Sequence, residues 1–388
     1  GANLAEIYNL GIPVPPGFVI TAQAYDYFIK KAGIHDKIKN LLGKISYENT
    51  EKLDEITKEI REFIEEANLP EEMRGEILEA YEILGAEDPN LRDKSANYIL
   101  KKSPEPVFVA VRSSATTEDL AEASFAGQQD SFLNVKGGAD LLKFVKKCFA
   151  SLFTSRATYY RNKKGFKHEA ASLAVVIQKM VDSDKSGVIF SKDPSMQKED
   201  VIIEAVWGLG EGIVSGRITP DRYIVSREFQ ILEKEIGDKK VAITRNAAGG
   251  QEIIKLKEER AKQQVLKDHE ITRLAEIALR LETHYGKPQD IEFAIGNNEI
   301  YIVQTRPITT LEKRFSSGDV KELKGEIILK GLAASPGIGV GKIKIVHGAK
   351  DLEKVLQGDV LVTEMTNPDM VVTMQRCSAI VTDEGGLT

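Results

Sequence analysis

The sequence predicts a mixed fold, α+β or α/β, with more than one domain. Short runs rich in β-branched residues, as at 107–111 and 201–206, are typical of largely buried strands. Residues 22–97 instead carry apolar residues at three- and four-residue spacing, which indicates helices. A polar stretch at 311–324 predicts a linker. A chain of 388 residues is long enough for two or three domains, each with a sizeable core.

Three helical segments have a clear apolar stripe. The stripe of the first is formed by Leu53, Ile56, Ile60 and Ile64. A second helix is predicted over 141–160, with Cys148 packed in its apolar face as an inert small hydrophobe. A third is predicted over 257–285, with a core stripe of Leu274, Ile277, Ala278 and Leu281. The helical region 22–97, which contains the first stripe, is interpreted as scaffold.

The composition indicates a soluble globular protein whose partner is a small molecule. Apolar residues make up 42% and charged residues 29% of the chain, and no run approaches the roughly twenty apolar residues that span a bilayer. We therefore expect no membrane association and no secretion signal. Two isolated cysteines fit a reducing cytoplasm. The net charge of -6 gives no general attraction to nucleic acid.

Residues 107–135 combine features of a phosphate-binding loop. Arg112 follows the apolar run 107–111, so it is predicted at a strand end, where its guanidinium can bind two phosphate oxygens at once. Ser113 adds a hydroxyl donor, and Gly127 lets the main chain approach a ligand closely. An ordinary strand, a capped acidic helix and a turn, with Arg112 paired to Glu118 or Asp119, explains the same residues equally well.

Residues 289–310 predict a β-hairpin with a polar face. Strict alternation places Asp290 and Glu292 on one face, and Gly-Asn-Asn signals the turn. Glu292 faces Gln304 if Gly296 pairs with residue 300, whereas a two-residue turn sends Gln304 to the other face. The functional interpretation therefore predicts the longer loop. In that register Glu292 and Gln304 supply oxygen ligands suited to Mg²⁺, and Arg306 can stabilise transferred charge. A merely solvent-exposed charged face is the alternative.

The stretch VRSSATTEDLAEASFAGQQDSFLNV resembles the nucleotide-binding domain of the family that contains phosphoenolpyruvate synthase and pyruvate phosphate dikinase. The resemblance implies an ATP-grasp domain over 1–310, in two lobes, with a helical segment at about 22–97 and the second lobe at about 182–310. It implies that ATP and its Mg²⁺ are bound by Glu292 and Gln304, the metal ligands, and further by Arg112, Ser113, Gly127, Gln128, Arg156, Gln178, Met180, Val181, Asp182, Glu204, Glu211, Asp290 and Arg306. For Arg156 a surface ion pair explains the residue equally well.

The last part of the chain resembles the same family's swivelling β/β/α phosphohistidine domain. The resemblance rests on GLAASPGIGVGKIKIV, TNPDM and the final DEGGLT, and it implies a linker at 311–326 followed by a truncated domain at 327–388. In the family the phosphate-accepting histidine follows such a Gly-Gly motif, so it is expected beyond Thr388; His347 is not assigned that role. The family's leading Gly-Gly-Lys is likewise not in this sequence.

The resemblance implies the reaction ATP + pyruvate + water to phosphoenolpyruvate + AMP + phosphate, relayed by a phosphohistidine. ATP and AMP would bind here, and pyruvate and phosphoenolpyruvate would bind a C-terminal barrel outside these residues. We expect these 388 residues alone to be inactive in the full reaction, and the full-length protein to be a cytoplasmic homo-oligomer. The alternatives are an enzyme like pyruvate phosphate dikinase or rifamycin phosphotransferase, and a non-catalytic nucleotide-sensing module.

Overall fold

The protein is a mixed α/β structure, here a computed structural model, that divides into two compact units. The first unit comprises residues 1–6, 14–181 and 245–251, and the second comprises 7–13, 182–244 and 252–388. The residues that the structure describes are 1–47, 49–86, 106–115, 119–120, 123–124, 130–168, 171–194, 198–214, 218–246, 249–308, 327–331, 337–366 and 370–383. The predicted linker at 311–326 lies outside them.

Helices and strands alternate irregularly along the chain. The helices within the described residues are α1 Ala2–Asn9, α2 Ala22–Lys31, α3 His35–Leu42, α4 Thr50–Glu66, α5 Glu71–Gly85, α6 Gly138–Ser151, α7 Ser155–Lys163, α8 Glu211–Val214, α9 Glu258–Ala261, α10 Asp268–Tyr285 and α11 Val371–Met374. The strands are β1 Gly17–Ile20, β2 Phe108–Ala115, β3 Asp119–Leu120, β4 Ala123–Ser124, β5 Ser131–Lys136, β6 Leu173–Lys179, β7 Lys185–Phe190, β8 Val201–Trp207, β9 Asp221–Val225, β10 Ile231–Glu235, β11 Val241–Arg245, β12 Gln251–Lys255, β13 Gln289–Gly296, β14 Glu299–Pro307, β15 Ile343–Val346, β16 Val360–Thr363 and β17 Ala379–Thr382.

In the first unit, helices pack against one face of an antiparallel sheet with the strand order β1-β6-β2-β5. The apolar stripe of α4 is buried as its spacing predicts, and Ile60 and Ile64 are completely inaccessible. Val111 and Ile177 contribute to the same core from the sheet side. Cys148 is buried on α6, and its thiol donates to the carbonyl of Val111, as expected for an inert core residue.

In the second unit, an antiparallel sheet has the order β10-β9-β8-β7-β13-β14, and helix α10 packs across it. The helix lies on the face that carries Ile291 and Phe293, both almost completely buried. An ion pair between Lys185 on β7 and Glu270 in the first turn of α10, at 2.7 Å, joins helix and sheet on that face. The opposite face, with Asp290 and Glu292, remains for polar chemistry.

Two helices predicted as continuous are each divided. The segment 141–160 separates into α6 and α7, and the side chain of Thr154 caps α7 by accepting from the amide of Ala157. The segment 257–285 separates into α9 and α10. Between them, the amides of Val265 and Leu266 donate to the side chains of Asp221 and Tyr223, so they are not available to a continuous helix.

A small parallel sheet, β15-β16-β17, forms near the end of the chain. Val346, Leu361 and Met370 belong to its core. Residues Ala349–Lys354 form a 3₁₀ helix, and α11 has only four residues. In the described part of the chain, every helix is too short or too polar to cross a membrane.

A fully buried ion pair between Asp221 and Lys239 provides a test of the second unit's stability. The carboxylate of Asp221 also accepts hydrogen bonds from the amides of Gly237 and Val265, at 3.0 and 2.7 Å. We expect Asp221→Ala to lower the free energy of unfolding by about 3–5 kcal/mol, because it leaves the Lys239 charge buried and unpaired. Urea unfolding followed by the fluorescence of Trp207, the one tryptophan of the chain and a residue of β8, measures this.

The matched control is Asp238→Ala, which removes an exposed carboxylate 4.0 Å from Lys240. An exposed pair contributes little, so the control should shift the unfolding midpoint only slightly. Equal shifts for the two variants would contradict the importance of the buried pair.

Candidate functional site

Arg112 lies in the middle of a strand and not at its end. Strand β2 continues to Ala115, and Arg112 pairs with Val176 on β6 and with Ser131 on β5. The prediction of a strand end was wrong because the polar residues after Val111 still satisfy their backbone groups in the sheet. Arg112 shares a face with Gln178, opposite the helical core, whereas Ser113 pairs with the core residue Val175 and lies on the other face.

The loop residues predicted beside Arg112 are only partly described. Gly127 and Gln128 lie outside the described residues. Arg156, at the start of α7, forms an ion pair of 2.6 Å with Asp130, just before β5. The ion pair that was the alternative explanation of Arg156 is therefore present in the structure.

Strand β6 carries an unusual buried amide near its end. Gln178 is 4% exposed, and its Nε2 has no hydrogen-bond partner in the described part of the protein. The next two backbone amides are occupied, since Lys179 donates to Pro16 and Met180 to Phe108, at 2.8 and 2.9 Å. Val181 and Asp182 follow, at the end of the first unit and the start of the second.

The hairpin of β13 and β14 combines a short turn with a β-bulge. Gly296 pairs with Glu299, so Asn297 and Asn298 form a two-residue turn, both with positive φ (53° and 62°), as in a type I′ turn. The prediction of a longer loop was wrong. The register nevertheless shifts between Glu292 and Phe293, because Val303 is an extra residue on β14, and Glu292 therefore pairs with Gln304.

A polar row crosses this sheet on the face opposite α10. Directly paired residues share a face, so the pairing places Gln304, Glu292, Val188, Glu204 and Arg222 in one line. Glu204 is buried, and this burial raises the pKa of its carboxyl; the Arg222 guanidinium opposes the shift. Val188 separates Glu204 from Glu292, so these two carboxylates lie two strands apart, about 10 Å.

Asp290 and Arg306 form the adjacent pair on the same face. The Nη2 atom of Arg306 lies 2.7 Å from Oδ2 of Asp290, and its Nε donates to the same oxygen at 2.8 Å. Burial raises the pKa of Asp290 above its usual range, Arg306 opposes this, and Glu292 adds to it. The guanidinium is thus held at a fixed position beside Glu292 and Gln304.

Glu211 begins the short helix α8, after a close approach of two backbones at Gly208. Gly208 has φ of 81°, and a Cβ there would come within 2.2 Å of the carbonyl of Ile243. Glycine is required at this position for both reasons. It directs the chain from β8 into α8.

The donor set on the polar face fits Mg²⁺. Glu292 and Gln304 offer a carboxylate and an amide oxygen at paired positions, and Mg²⁺ prefers such hard oxygen ligands. Within the described ranges no three His, Cys, Asp or Glu residues gather as a metal cluster. A site with few protein ligands is suitable for Mg²⁺, because this ion keeps several waters and binds phosphate oxygens.

The comparisons with known proteins agree with this geometry. Residues 1–326 match the family model described as pyruvate phosphate dikinase, AMP/ATP-binding domain. The chain belongs to this family. Residues 355–388 match a second model, described as PEP-utilising enzyme, mobile domain.

The relatives with known names extend this match over the whole chain. A probable phosphoenolpyruvate synthase of Archaeoglobus fulgidus is 51% identical over 392 residues, covering 100% of this chain and 50% of the relative. One from Methanocaldococcus jannaschii is 47% identical over 396 residues, covering 100% and 32%. The phosphoenolpyruvate synthase of Pyrococcus furiosus is 42% identical over 431 residues, covering 100% and 51%. The chain therefore spans about half the length, or less, of these family members.

Two contributors to the polar face of this family member have no signal in the sequence. Arg222 lies directly opposite Glu204, but its place depends on the pairing of β8 with β9. The bulge at Val303 is likewise invisible in the alternation of β14. To predict either feature, one would have to know which strands are neighbours in the sheet and in which register they pair.

The buried carboxyl of Glu204 predicts a pH-dependent contribution to stability. Its pKa is raised above the ordinary 4.5 in the folded protein, so the folded state retains a proton that the unfolded state releases. The wild type should therefore lose stability relative to Glu204→Gln as the pH rises above about 4.5 through the folded pKa. Urea midpoints from Trp207 fluorescence between pH 4 and 8 measure the difference. The control, Glu233→Gln, changes an exposed residue on β10. The prediction would be contradicted if the difference between the urea midpoints of the wild type and Glu204→Gln were the same at every pH.

Proposed function

We propose that the chain is the ATP-binding part of a phosphoenolpyruvate synthase. The parent enzyme would convert ATP, pyruvate and water to phosphoenolpyruvate, AMP and phosphate. The observation that carries this proposal is the match of the entire chain, at 47–51% identity, to two archaeal proteins named probable phosphoenolpyruvate synthase. The AMP/ATP-binding family model over residues 1–326 supports the nucleotide as the ligand of this part.

The proposed domain organisation follows from the same family. Residues 1–310 would form an ATP-grasp domain with its second lobe at about 182–310, and residues 327–388 would belong to the swivelling phosphohistidine domain. The description of the second family model as a mobile domain supports that role for the last residues. A phosphohistidine would carry phosphate to pyruvate at a separate barrel, in a cytoplasmic homo-oligomer.

In the first unit, Arg112 would bind phosphate oxygens and Gln178 would bind the base. A guanidinium offers paired donors that match phosphate oxygens. The buried Nε2 of Gln178, without a partner among the described residues, supports a ligand acceptor at this place. Since the amide of Met180 already donates to Phe108, Met180 would contribute its carbonyl. The remaining nucleotide contacts of this unit would come from Gly127, Gln128, Arg156 and Val181, whereas the side chain of Ser113 lies on the other face of the sheet and would not join them.

In the second unit, Glu292 and Gln304 would hold Mg²⁺. When bound, the ion would supply positive charge that neutralises the phosphates. The ion pair with Asp290, at 2.7 Å, would hold the guanidinium of Arg306 in one orientation before the phosphates bind. The other proposed contacts of this unit are Asp182, Glu204 and Glu211.

Arg112→Ala tests the phosphate contact. We expect the affinity for Mg-ATP to fall about 10–100-fold, because hydrogen bonds from a charged donor contribute roughly 1.5–3 kcal/mol each. Calorimetric titration of Mg-ATP into the 388-residue chain measures this. The control is Arg74→Ala on α5, whose guanidinium lies on an exposed helix face 3.4 Å from Glu71; equal affinities for the two variants would remove Arg112 from the site.

Glu292→Gln tests the metal site. If Glu292 binds Mg²⁺, the variant should lose most of the difference in ATP affinity between saturating Mg²⁺ and EDTA, because one charged ligand is gone. Glu299→Gln, at the exposed turn end of β14, is the matched control and should keep the wild-type dependence. An unchanged Mg²⁺ dependence in Glu292→Gln would exclude this ligand.

A further inference from the structure

A cavity of about 610 Å³ lies among the helices of the first unit, on the other side of the sheet from Arg112. Its apolar wall includes Ile29, Leu42 and Phe153, and its polar lining includes Lys30, Lys39, His35, His168, Asp26 and Asp36. The volume is within the range of small-molecule sites, about 300–1,000 Å³. The nucleotide interpretation uses none of these residues.

Behind this wall lies Arg161, a buried cation that pairs with no carboxylate of the described residues. Arg161 is 1% exposed, and its Nη1 has no hydrogen-bond partner in the described part of the chain. Its guanidinium carbon lies 5.6 Å from the ring centroid of Phe153, and its Nε donates to Nδ1 of His168 at 3.2 Å. Phe153 and His168 both line the cavity, so the uncompensated charge is directly beneath the cavity surface.

Two hydrogen bonds of His168 indicate the tautomer and the charge of its imidazole. Because arginine always donates, Nδ1 of His168 is the acceptor and the imidazole is neutral, with its proton on Nε2. That proton is donated to the hydroxyl of Tyr47 at 2.6 Å. The hydroxyl proton of Tyr47 is then available to another acceptor. The neutral imidazole accepts one hydrogen bond from Arg161 and supplies no negative charge to it.

The lysines and carboxylates of the cavity lining number two each among the described residues. Both carboxylates have partners within the protein, since Asp26 accepts a hydrogen bond from Ser172 at 2.9 Å and Asp36 lies 3.1 Å from His35. Lys30 and Lys39 have no ion pair within the described ranges. Together with the buried guanidinium of Arg161, three cations stand against two carboxylates, which leaves an excess of positive charge for an anion.

We propose that this cavity binds a small organic anion with an apolar body. Its oxyanion, a carboxylate or a phosphate, pairs with Lys30 and Lys39 in the field of Arg161. Its apolar part packs against Ile29, Leu42 and Phe153. The proposal stands on the first unit alone and does not depend on the nucleotide site.

Calorimetric titration of benzoate, phenyl phosphate and inorganic phosphate into the full 388-residue chain tests this site. We expect at least one of the two aromatic anions to bind, and to bind about tenfold or more weakly to the double variant Lys30→Ala/Lys39→Ala. Binding of benzoate alone identifies a carboxylate ligand, and binding of phenyl phosphate alone identifies a phosphate ligand. Inorganic phosphate should bind more weakly than phenyl phosphate because it lacks the apolar contacts.

The matched control is Lys31→Ala/Lys37→Ala, which removes the same charge from the same two helices but from residues that do not line the cavity. It should keep wild-type affinity. Arg161→Met should abolish binding. The test does not depend on this buried substitution, because the lysine variants change surface residues. The proposal is overturned if neither aromatic anion binds, if both double variants bind equally, or if inorganic phosphate binds as tightly as phenyl phosphate.

Discussion

The pairing of β13 with β14 is the constraint on which the polar face of the second unit depends. Side chains alternate with a period of two, so a shift of one residue would move Gln304 to the face that packs against α10. The two-residue turn at Asn297 and Asn298 by itself produces that unfavourable shift. The bulge at Val303 reverses it and restores Glu292 and Gln304 to one face. A turn favoured by local sequence and a polar face are thereby compatible in one hairpin.

Buried charge is treated differently in different parts of the molecule. Asp221 and Lys239 are both inaccessible, and hydrogen bonds from the surrounding backbone complete the solvation of the carboxylate. Asp290 is compensated by one guanidinium on the neighbouring strand. Arg161 instead contacts a neutral histidine, a threonine hydroxyl and an aromatic ring, and it pairs with no carboxylate among the described residues. The Asp221–Lys239 pair needs no further partner, whereas the anion that we propose would supply the negative charge that Arg161 lacks among the described residues.

Much of the scaffold and several site positions could be predicted from local patterns. The stripe of α4 and the burial of Cys148 followed from spacing and residue type, because burial of an apolar face is a local property of a helix. The helix limits at Thr154 and near Val265 could not be predicted this way. At Val265 the competing hydrogen-bond acceptor, Asp221, is 44 residues away in the chain.

The ordered motifs were sufficient to establish the family, and the residue types of one segment identified Glu292, Gln304, Asp290 and Arg306 as a polar set. Residue types and alternation carry that information because they are properties of single segments. The folded structure was needed to show that Val303 is the bulged residue, that Arg222 lies opposite Glu204, and that Arg112 lies inside a strand. Strand neighbours and register arise from packing between distant segments, and no local pattern encodes them.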